Sequence, residues 1–331
     1  MTAPGDTPRE RILLTGKTGQ LGWELERTLA PLGEVVGFAR TELDLGQPDA
    51  LRSAVRDVRP TVIVNAAAYT AVDAAEEDES TAHAVNGVAP GVLAEEARAL
   101  GALLVHYSTD YVFSGEERVF SGGGGGTPYT ETDPTDPESS YGRTKRDGER
   151  AVAAVGGAHL VFRTSWVYSL RGKNFLLTMA RFFAAGRPLR VVDDQFGTPT
   201  WSRLLAEATA QVLAVRCFGA GPAGSDARRT ALEEISGLYH LGATGETSWH
   251  GFAQAIIDRL AARAVAVGEA RPANADVTPI PGSEFPQAAK RPPYGVLSKA
   301  RFESVFGLRL PPWEEQLDLC LRDAPFEVHS P

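Results

Sequence analysis

A short glycine-rich turn between an apolar run and a helical pattern constrains the fold of this chain more than any other feature. Arg11–Thr15 is apolar and partly β-branched, which is typical of a buried strand, and residues 21–32 have helical spacing. Between them stand Gly16, Gly19 and Gly22 in the pattern G-x-x-G-x-x-G. Such glycines permit a sharp turn, the approach of a pyrophosphate and close packing of the helix, so this order is typical of a dinucleotide-binding unit. The alternative is a tight turn that binds no ligand.

Strands and helices alternate along most of the chain. Further strands are predicted at 34–38, 61–64, 103–107, 159–164, 189–192 and 238–241, with helical patterns between most of them. The alternation predicts an α/β fold, a Rossmann-type doubly wound parallel sheet with a small, loop-rich C-terminal substrate lobe. We expect residues 9–170 to form the NAD(P)-binding domain, with 189–245 returning to it. Residues 171–188 and 246–325 then form the smaller lobe, and residues 1–8 a flexible N-terminus.

Charge and cysteine content limit which partners the protein is expected to bind and in which compartment it is expected to work. The chain has 331 residues and a formal net charge of −9, without a basic run, which disfavours nucleic acid and anionic membranes as partners. Cys217 and Cys320 are far apart and have no metal-ligand spacing, so we expect neither a disulfide framework nor a metal site. Their scarcity favours a reducing cytoplasm. Residues 1–8 lack the apolar core of a signal peptide, and no apolar run reaches transmembrane length.

A tyrosine and a lysine four residues apart begin a predicted helix at 141–155. Residues with this spacing share a helix face, so Tyr141 and Lys145 point the same way, and Ser139 or Ser140 can cap the first turn. A free phenol has a pKa of about 10, and a neighbouring ammonium lowers it. The pair is therefore predicted to be an acid/base unit. The alternative is a half-buried tyrosine beside a solvated lysine.

Residues at the carboxyl ends of the predicted strands suggest where a cofactor binds. Arg40 follows the second strand, where an arginine accommodates the 2′-phosphate of NADP, so NADPH is favoured. Glu42 is close enough to keep NADH possible. Small residues from Ala68 leave room for a flat ligand, and Thr109 presents a hydroxyl at the same edge. The glycine run at 122–126 is predicted to be a mobile loop near the mouth of the site, or an insertion without function.

Longer stretches match one family beyond these general motifs. They are residues 16–25, 62–73, 106–113, 162–168 and 194–200. With them the chain resembles the extended short-chain dehydrogenase/reductase superfamily and, more narrowly, the dTDP-4-dehydrorhamnose reductase family, over about residues 11–321.

The resemblance implies NAD(P)H-dependent reduction of the 4-keto group of dTDP-4-dehydro-6-deoxy-L-mannose to dTDP-L-rhamnose. It implies that Tyr141 donates the proton, that Lys145 lowers the pKa of Tyr141 and holds the nicotinamide ribose, and that Thr109 bonds the keto oxygen. The implied cofactor contacts also include Gly16, Gly19, Gln20, Leu21, Gly22, Arg40, Asp44, Leu45, Ala68, Tyr69, Thr70 and Tyr107. Asp110 and Trp166 match contacts to the nucleotide sugar.

Two departures from the family pattern matter. Some members bridge two subunits through Mg²⁺ held by three glutamates, of which Glu24 matches the first and Glu314 or Glu315 the last. The middle position is Arg203, a cation that argues against Mg²⁺ and against that dimer, so monomer and homodimer both stay open. The glycine run is also longer than the family usually carries.

Proteins that share this fold also have other activities. Related dehydratases follow the threonine with Asp-Glu, whereas this chain has Thr109-Asp110-Tyr111, which disfavours dehydration and, for similar reasons, epimerisation. A reductase of another dTDP-4-keto-6-deoxy sugar in natural-product glycosylation, or a non-catalytic NADP-binding regulatory subunit, remains an alternative.

Overall fold

The structure is a computed structural model that describes residues 10–116, 126–266, 268, 270 and 272–322. The predicted flexible segment 1–8 and glycines 122–125 of the predicted loop lie outside the described residues. The strands are β1 Arg11–Thr15, β2 Glu34–Phe38, β3 Val62–Asn65, β4 Leu103–Thr109, β5 His159–Thr164, β6 Val167–Tyr168, β7 Leu189–Val192, β8 Phe196–Gly197, β9 Thr200–Trp201, β10 Gly237–His240, β11 Thr247–Ser248 and β12 Val277–Ile280. The α-helices are α1 Gln20–Leu29, α2 Pro48–Val58, α3 Ala74–Glu77, α4 Glu79–His83, α5 Ala89–Leu100, α6 Ser140–Val155, α7 Phe175–Ala184, α8 Ser202–Val212, α9 Asp226–Ile235, α10 Trp249–Ala266, α11 Ala300–Phe306 and α12 Trp313–Arg322.

Within the described residues, six strands form one parallel sheet in the order β10-β5-β4-β3-β1-β2. The chain runs from β1 outward to β2 and then returns past β1 to β3, so the strand order reverses between β1 and β3. A reversal of this kind opens a crevice at the carboxyl ends of the strands. The predicted doubly wound α/β fold is confirmed.

Both faces of the large sheet are buried. Along β1, Ile12 and Leu14 join a core that includes residues of α1 and α8, while Leu13 joins a second core with residues of α2 and α5. Because β1, β3 and β4 face a core on both sides, their sequences contain continuous apolar runs rather than alternating patterns. Helices on both sides therefore hold the carboxyl ends of the strands at one common edge.

A third core lies apart from the two cores of the large sheet. It gathers side chains of α7, α10 and α12, among them Phe183, Phe252 and Trp313. The strand predicted at 189–192 is present as β7, and it pairs with β12 in a separate two-stranded parallel sheet. Leu189 and Val191 are buried in the third core. Of the segment predicted to return, β10 does join the large sheet.

The helical segment between β3 and β4 is interrupted. After α3 and α4 the chain makes a π-helical turn, Ala84–Val88, before α5 begins. Asn86 lies in this turn, and its side chain accepts from the Tyr69 amide at 2.9 Å and donates to the Tyr69 carbonyl at 3.0 Å. A π turn is common where a helix adjusts to a functional site, and here Asn86 fixes the loop after β3. Among the described residues, no helix combines the length and apolarity needed to cross a membrane.

Candidate active site

A cleft of about 480 Å³ opens at the carboxyl ends of the central strands. Apart from Gly22, every residue predicted to contact a cofactor lines it: Gly16, Gly19, Gln20, Leu21, Arg40, Asp44, Leu45, Ala68, Tyr69, Thr70, Tyr107, Tyr141 and Lys145. The structure thus brings these residues from five segments of the chain into one place.

The glycine turn has no room for side chains. Gly16 has φ +75°, and a Cβ there would lie 2.9 Å from the Ala67 nitrogen. At Gly22 a Cβ would lie 2.0 Å from the Gly16 carbonyl oxygen, so Gly22 packs α1 against the turn and does not line the cleft. Gly19 is the residue before α1 and makes no side-chain cap. The first N–H groups of α1 are therefore available to an anion at this end of the cleft.

The two charged residues after β2 have different surroundings. Glu42 accepts from the Ala39 amide at 2.7 Å and forms an ion pair with Lys17 at 2.7 Å. The Ala39 amide first, and Lys17 second, hold the pKa of this carboxyl below its ordinary value. Arg40 lines the cleft, is exposed, and makes neither a hydrogen bond nor an ion pair with the part of the chain that the structure describes. The Glu42 carboxylate is thus bonded to Ala39 and Lys17, while Arg40 lines the cleft without such partners among the described residues.

Tyr141 lies in the first turn of α6, where Ser139 caps the helix by accepting from the Gly142 amide at 3.1 Å. Burial raises the pKa of Tyr141 to about 12, against the opposing effect of a hydrogen bond with Thr109. This differs from the prediction that Lys145 lowers this pKa, because desolvation outweighs the other influences at this position. A phenol with such a pKa is protonated at neutral pH and has a proton to donate.

Lys145 is buried, and its ammonium is hydrogen-bonded to groups other than the phenol of Tyr141. Its Nζ donates to the Tyr107 carbonyl at 2.6 Å and lies 3.3 Å from Nε2 of His106. Burial lowers the pKa of Lys145 to about 8, and the charge of Glu149 opposes that fall. Glu149 is itself held by Arg163 through bonds of 2.8 and 2.6 Å. The lysine side chain is therefore fixed at the wall of the cleft, and its pKa lies closer to neutral pH than that of an exposed lysine.

Thr109 and Asp110 are buried beside Tyr141 but do not line the cleft. Thr109 Oγ1 donates to Asp110 Oδ1 at 3.0 Å and accepts from the Tyr111 amide at 3.2 Å. Burial raises the pKa of Asp110 to about 7. Gly295, far along the chain, closes over this carboxyl, since a Cβ there would lie 2.5 Å from Asp110 Oδ2.

Trp166 is also separate from the cleft lining. Its backbone has φ +46°, and its ring stacks on Trp249 with 3.6 Å between centroids and 8° between planes. A Cβ at Gly197 would lie 2.4 Å from the same ring. With both neighbours in place, the indole offers an edge rather than a face to a ligand.

Sequence reasoning missed two hydroxyls in the cleft. Ser108 and Thr164 line it at the ends of β4 and β5, and each side-chain oxygen is buried without a hydrogen-bond partner among the described residues. Buried polar atoms usually have partners, so these two are candidates to bond a ligand. Their position at the carboxyl end of a predicted strand, or directly after it, was the available signal.

The residues present do not fit the magnesium site of three glutamates. Burial raises the pKa of Glu24, and Arg203 is the first of the charges that oppose this rise. A guanidinium has no lone pair to offer a cation, so Arg203 beside Glu24 excludes that donor set. Within the described ranges, no cluster of three or more His, Cys, Asp or Glu side chains is arranged to hold a metal.

Known proteins resemble this chain over most of its length. The family model described as RmlD substrate binding domain matches residues 10–325. A dTDP-4-dehydrorhamnose reductase of Burkholderia thailandensis is 48% identical over 313 residues, covering 95% of this chain and 98% of that protein. A probable dTDP-4,6-dihydroxy-2-methyloxan-3-one 4-ketoreductase of Streptomyces antibioticus is 38% identical over 323 residues, covering 97% and 98%.

A solved structure extends the likeness to three dimensions. The crystal structure of a dTDP-4-dehydrorhamnose reductase from Bacillus anthracis, in complex with NADP, has a TM-score of 0.79 at 30% identity and covers 96% of this chain and 100% of that one. A match of this extent in sequence and in fold shows the family. The chain belongs to the dTDP-4-dehydrorhamnose reductase family.

Proposed function

We propose that this protein reduces the 4-keto group of dTDP-4-dehydro-6-deoxy-L-mannose (dTDP-4-dehydrorhamnose) to give dTDP-L-rhamnose, with NADPH as reductant. The observation that carries the proposal is the position of Tyr141, a protonated phenol beside Thr109 at the wall of a cleft lined by a dinucleotide-binding turn. The names of the relatives support the substrate class.

The cofactor is proposed to occupy the 480 Å³ cleft. Its pyrophosphate would lie on the first turn of α1, at Gly19, Gln20 and Leu21, because free N–H groups and the helix dipole favour anions there. Arg40 would bind the 2′-phosphate, since its guanidinium faces the cleft and Glu42 is bonded elsewhere. NADH would bind more weakly. When bound, the nicotinamide supplies the hydride.

The proposed proton chemistry uses three side chains. Tyr141 gives its proton to the oxygen of the reduced carbonyl, and Thr109 donates a hydrogen bond to the same oxygen. Lys145 lies four residues on, and its ammonium, bonded to the Tyr107 carbonyl, supplies a positive charge on the same face of the helix as the phenol. A further N–H of Lys145 can hold a ribose hydroxyl in the cleft that it lines. Alignment and proton supply are thus the tasks of the protein.

The nucleotide sugar is proposed to bind between the two parts of the chain. Asp110 and the edge of Trp166 lie on the side where Gly295 and Trp249 close over them. We accordingly propose a dinucleotide-binding domain that ends near residue 170 and includes β10. The lobe would comprise α7, the β7–β12 pair, α10 and α12.

We propose a cytoplasmic location on the basis of the two cysteines. Cys217 and Cys320 are both buried and free. Free thiols of this kind suit a reducing compartment.

A second candidate is a related ketoreductase. The Streptomyces antibioticus relative carries a different 4-ketoreductase name at 38% identity over nearly its whole length. Another dTDP-4-keto-6-deoxy sugar is therefore a reasonable alternative substrate.

The test is an assay of NADPH oxidation by the purified protein, with and without dTDP-4-dehydro-6-deoxy-L-mannose, followed by identification of the product. The proposal expects oxidation only with the sugar and dTDP-L-rhamnose as product. Faster turnover of another dTDP-4-keto-6-deoxy sugar would favour the second candidate. Absence of turnover with every such sugar would favour a non-catalytic binding subunit.

A further inference from the structure

A line of buried polar side chains runs from Lys145 back to the glycine turn. Lys145 Nζ lies 3.3 Å from His106 Nε2, and His106 Nδ1 lies 3.0 Å from the side-chain nitrogen of Asn65. The other end of the Asn65 amide accepts from Thr15 Oγ1 at 2.6 Å. All four residues are at most 1% exposed. Thr15 immediately precedes Gly16, so the line joins the two ends of the cleft.

The hydrogens on this line can be counted. Burial and the nearby charge of Lys145 keep the pKa of His106 well below its ordinary value, so the ring is neutral and carries one N–H. An ammonium at Lys145 can only donate, so Nε2 must accept and the ring hydrogen must sit on Nδ1. The structure orients the Asn65 amide with its nitrogen towards Nδ1 and its oxygen towards Thr15, so this tautomer requires a half-turn of the amide that exchanges the two atoms. If Nε2 carried the hydrogen instead, Lys145 would have to be a neutral amine.

We propose that His106 is a positioning residue for Lys145: as its Nδ1–H tautomer, backed by Asn65 and Thr15, it accepts a hydrogen bond from the ammonium and keeps it charged at the cleft wall. This inference rests on the proposed function for its kinetic consequences but not for the tautomer. Together with the Tyr107 carbonyl, Nε2 gives the ammonium two fixed acceptors.

Few ionisable groups face this lysine. His106 approaches it from β4, and Glu149 and Tyr141 lie on its own helix. Glu149 is neutralised in its turn by Arg163 of β5. Removal of the acceptor on His106 therefore leaves the ammonium with less stabilisation and lowers its pKa, which moves the alkaline limb of the kcat profile to lower pH.

Two substitutions separate the two ring nitrogens. The amide of glutamine reaches the position of Nε2, whereas that of asparagine reaches only the position of Nδ1. His106→Gln should keep the bond to Lys145 and stay within about threefold of the wild-type kcat. His106→Asn should lose about tenfold in kcat, with the alkaline limb lower by about one pH unit, as expected for a lost bond to a charged group. His159→Asn, at the amino end of the neighbouring strand β5, is the control and should change neither.

Nitrogen-15 NMR of the histidine-labelled protein gives a readout that does not depend on turnover. The chain has 6 histidines, and the signal missing from His106→Gln identifies His106. We expect a neutral ring with its hydrogen on Nδ1 at pH 7. A ring with its hydrogen on Nε2, or an imidazolium, would overturn the inference.

The kinetic measurements can also overturn the inference. Equal kcat values and pH profiles for His106→Asn and wild type would overturn the inference, as would a loss in His106→Gln as large as that in His106→Asn. Thermal melting of both variants shows whether either loss is merely unfolding. A wild-type protein without turnover would contradict the proposed function, while the NMR result would still decide the role of His106.

Discussion

The two sides of the proposed active site, a cofactor side and a substrate side, are built differently. The cofactor side consists of backbone and small side chains, such as the glycine turn and Ala68, and it forms an open cleft of about 480 Å³. The substrate side consists of buried side chains pressed together, with Gly295 against Asp110 and Trp249 against Trp166.

The ionisable groups follow the same division. On the cofactor side, Arg40 is exposed to solvent. Where the two sides meet, burial raises the pKa of Tyr141 to about 12 and that of Asp110 to about 7. In the proposed function, one side would therefore hold a ligand through fixed dipoles, while the proton chemistry would depend on desolvation supplied by the other.

The largest effect is expected where the two sides meet. Tyr141→Phe keeps the ring and removes the proton donor, so kcat should fall by about 10²- to 10⁴-fold with the affinity for NADPH nearly unchanged. Steady-state kinetics and cofactor titration measure both quantities. Tyr111→Phe is the matched control, because its ring packs edge-on against Tyr141 at 5.6 Å. It should stay within a few-fold of wild type; survival of activity in Tyr141→Phe contradicts the role of the phenol.

The next effect concerns stability on the substrate side. The pKa of Asp110 is raised from 3.8 to about 7, so the folded state binds the proton more tightly and the free energy of unfolding falls as pH rises between these values. Asp110→Asn removes this dependence. It should stabilise the protein by about 2–4 kcal/mol at pH 8 and by almost nothing below pH 4. Urea unfolding at several pH values measures the difference, and a gain that does not depend on pH would contradict the desolvated carboxyl.

A smaller effect is expected from steric closure of the same side. Gly295→Ala places a methyl group 2.5 Å from Asp110 Oδ2, so the substitution should destabilise the fold by about 1–3 kcal/mol and weaken sugar binding. Cofactor affinity should not change. In an Asp110→Ala background the clash is absent, and the destabilisation should shrink in a double-mutant cycle. Additive losses would show that Gly295 and Asp110 do not interact.

The smallest effect is expected on the exposed cofactor side. Arg40→Ala removes a solvent-screened contact to the 2′-phosphate, so the Kd of NADPH should rise about tenfold while that of NADH stays nearly constant. Arg150→Ala is the control, since that exposed side chain lies on α6 outside the cleft lining. Equal loss for both cofactors would refute a contact to the 2′-phosphate.

These two sides also differ in how far the sequence predicted them. The proposed cofactor side is made of short contiguous stretches, and a glycine turn between a strand and a helix usually adopts one conformation, so nearly all of the residues predicted to contact a cofactor do line one cleft. The large sheet followed from the alternation of strands and helices. By contrast, the pairing of the strand at 189–192 was not predicted, because its partner, β12, lies about ninety residues away.

The direction of the pKa shift at Tyr141 was missed for a related reason. Local spacing indicated the neighbouring ammonium, whereas the desolvation that dominates depends on tertiary packing around the phenol. Likewise, nothing near Asp110 in the chain shows that Gly295 closes over it. Shared helix faces can be predicted from spacing, but solvent exclusion depends on residues distant in the chain.

The most direct test of reduction uses NADPH that carries deuterium in its transferable position, with dTDP-4-dehydro-6-deoxy-L-mannose as substrate. The account predicts dTDP-L-rhamnose with one deuterium on C4, formed by the wild type and lost in Tyr141→Phe. An unlabelled product, or an isomer of the substrate formed without consumption of NADPH, would contradict hydride transfer to the keto carbon.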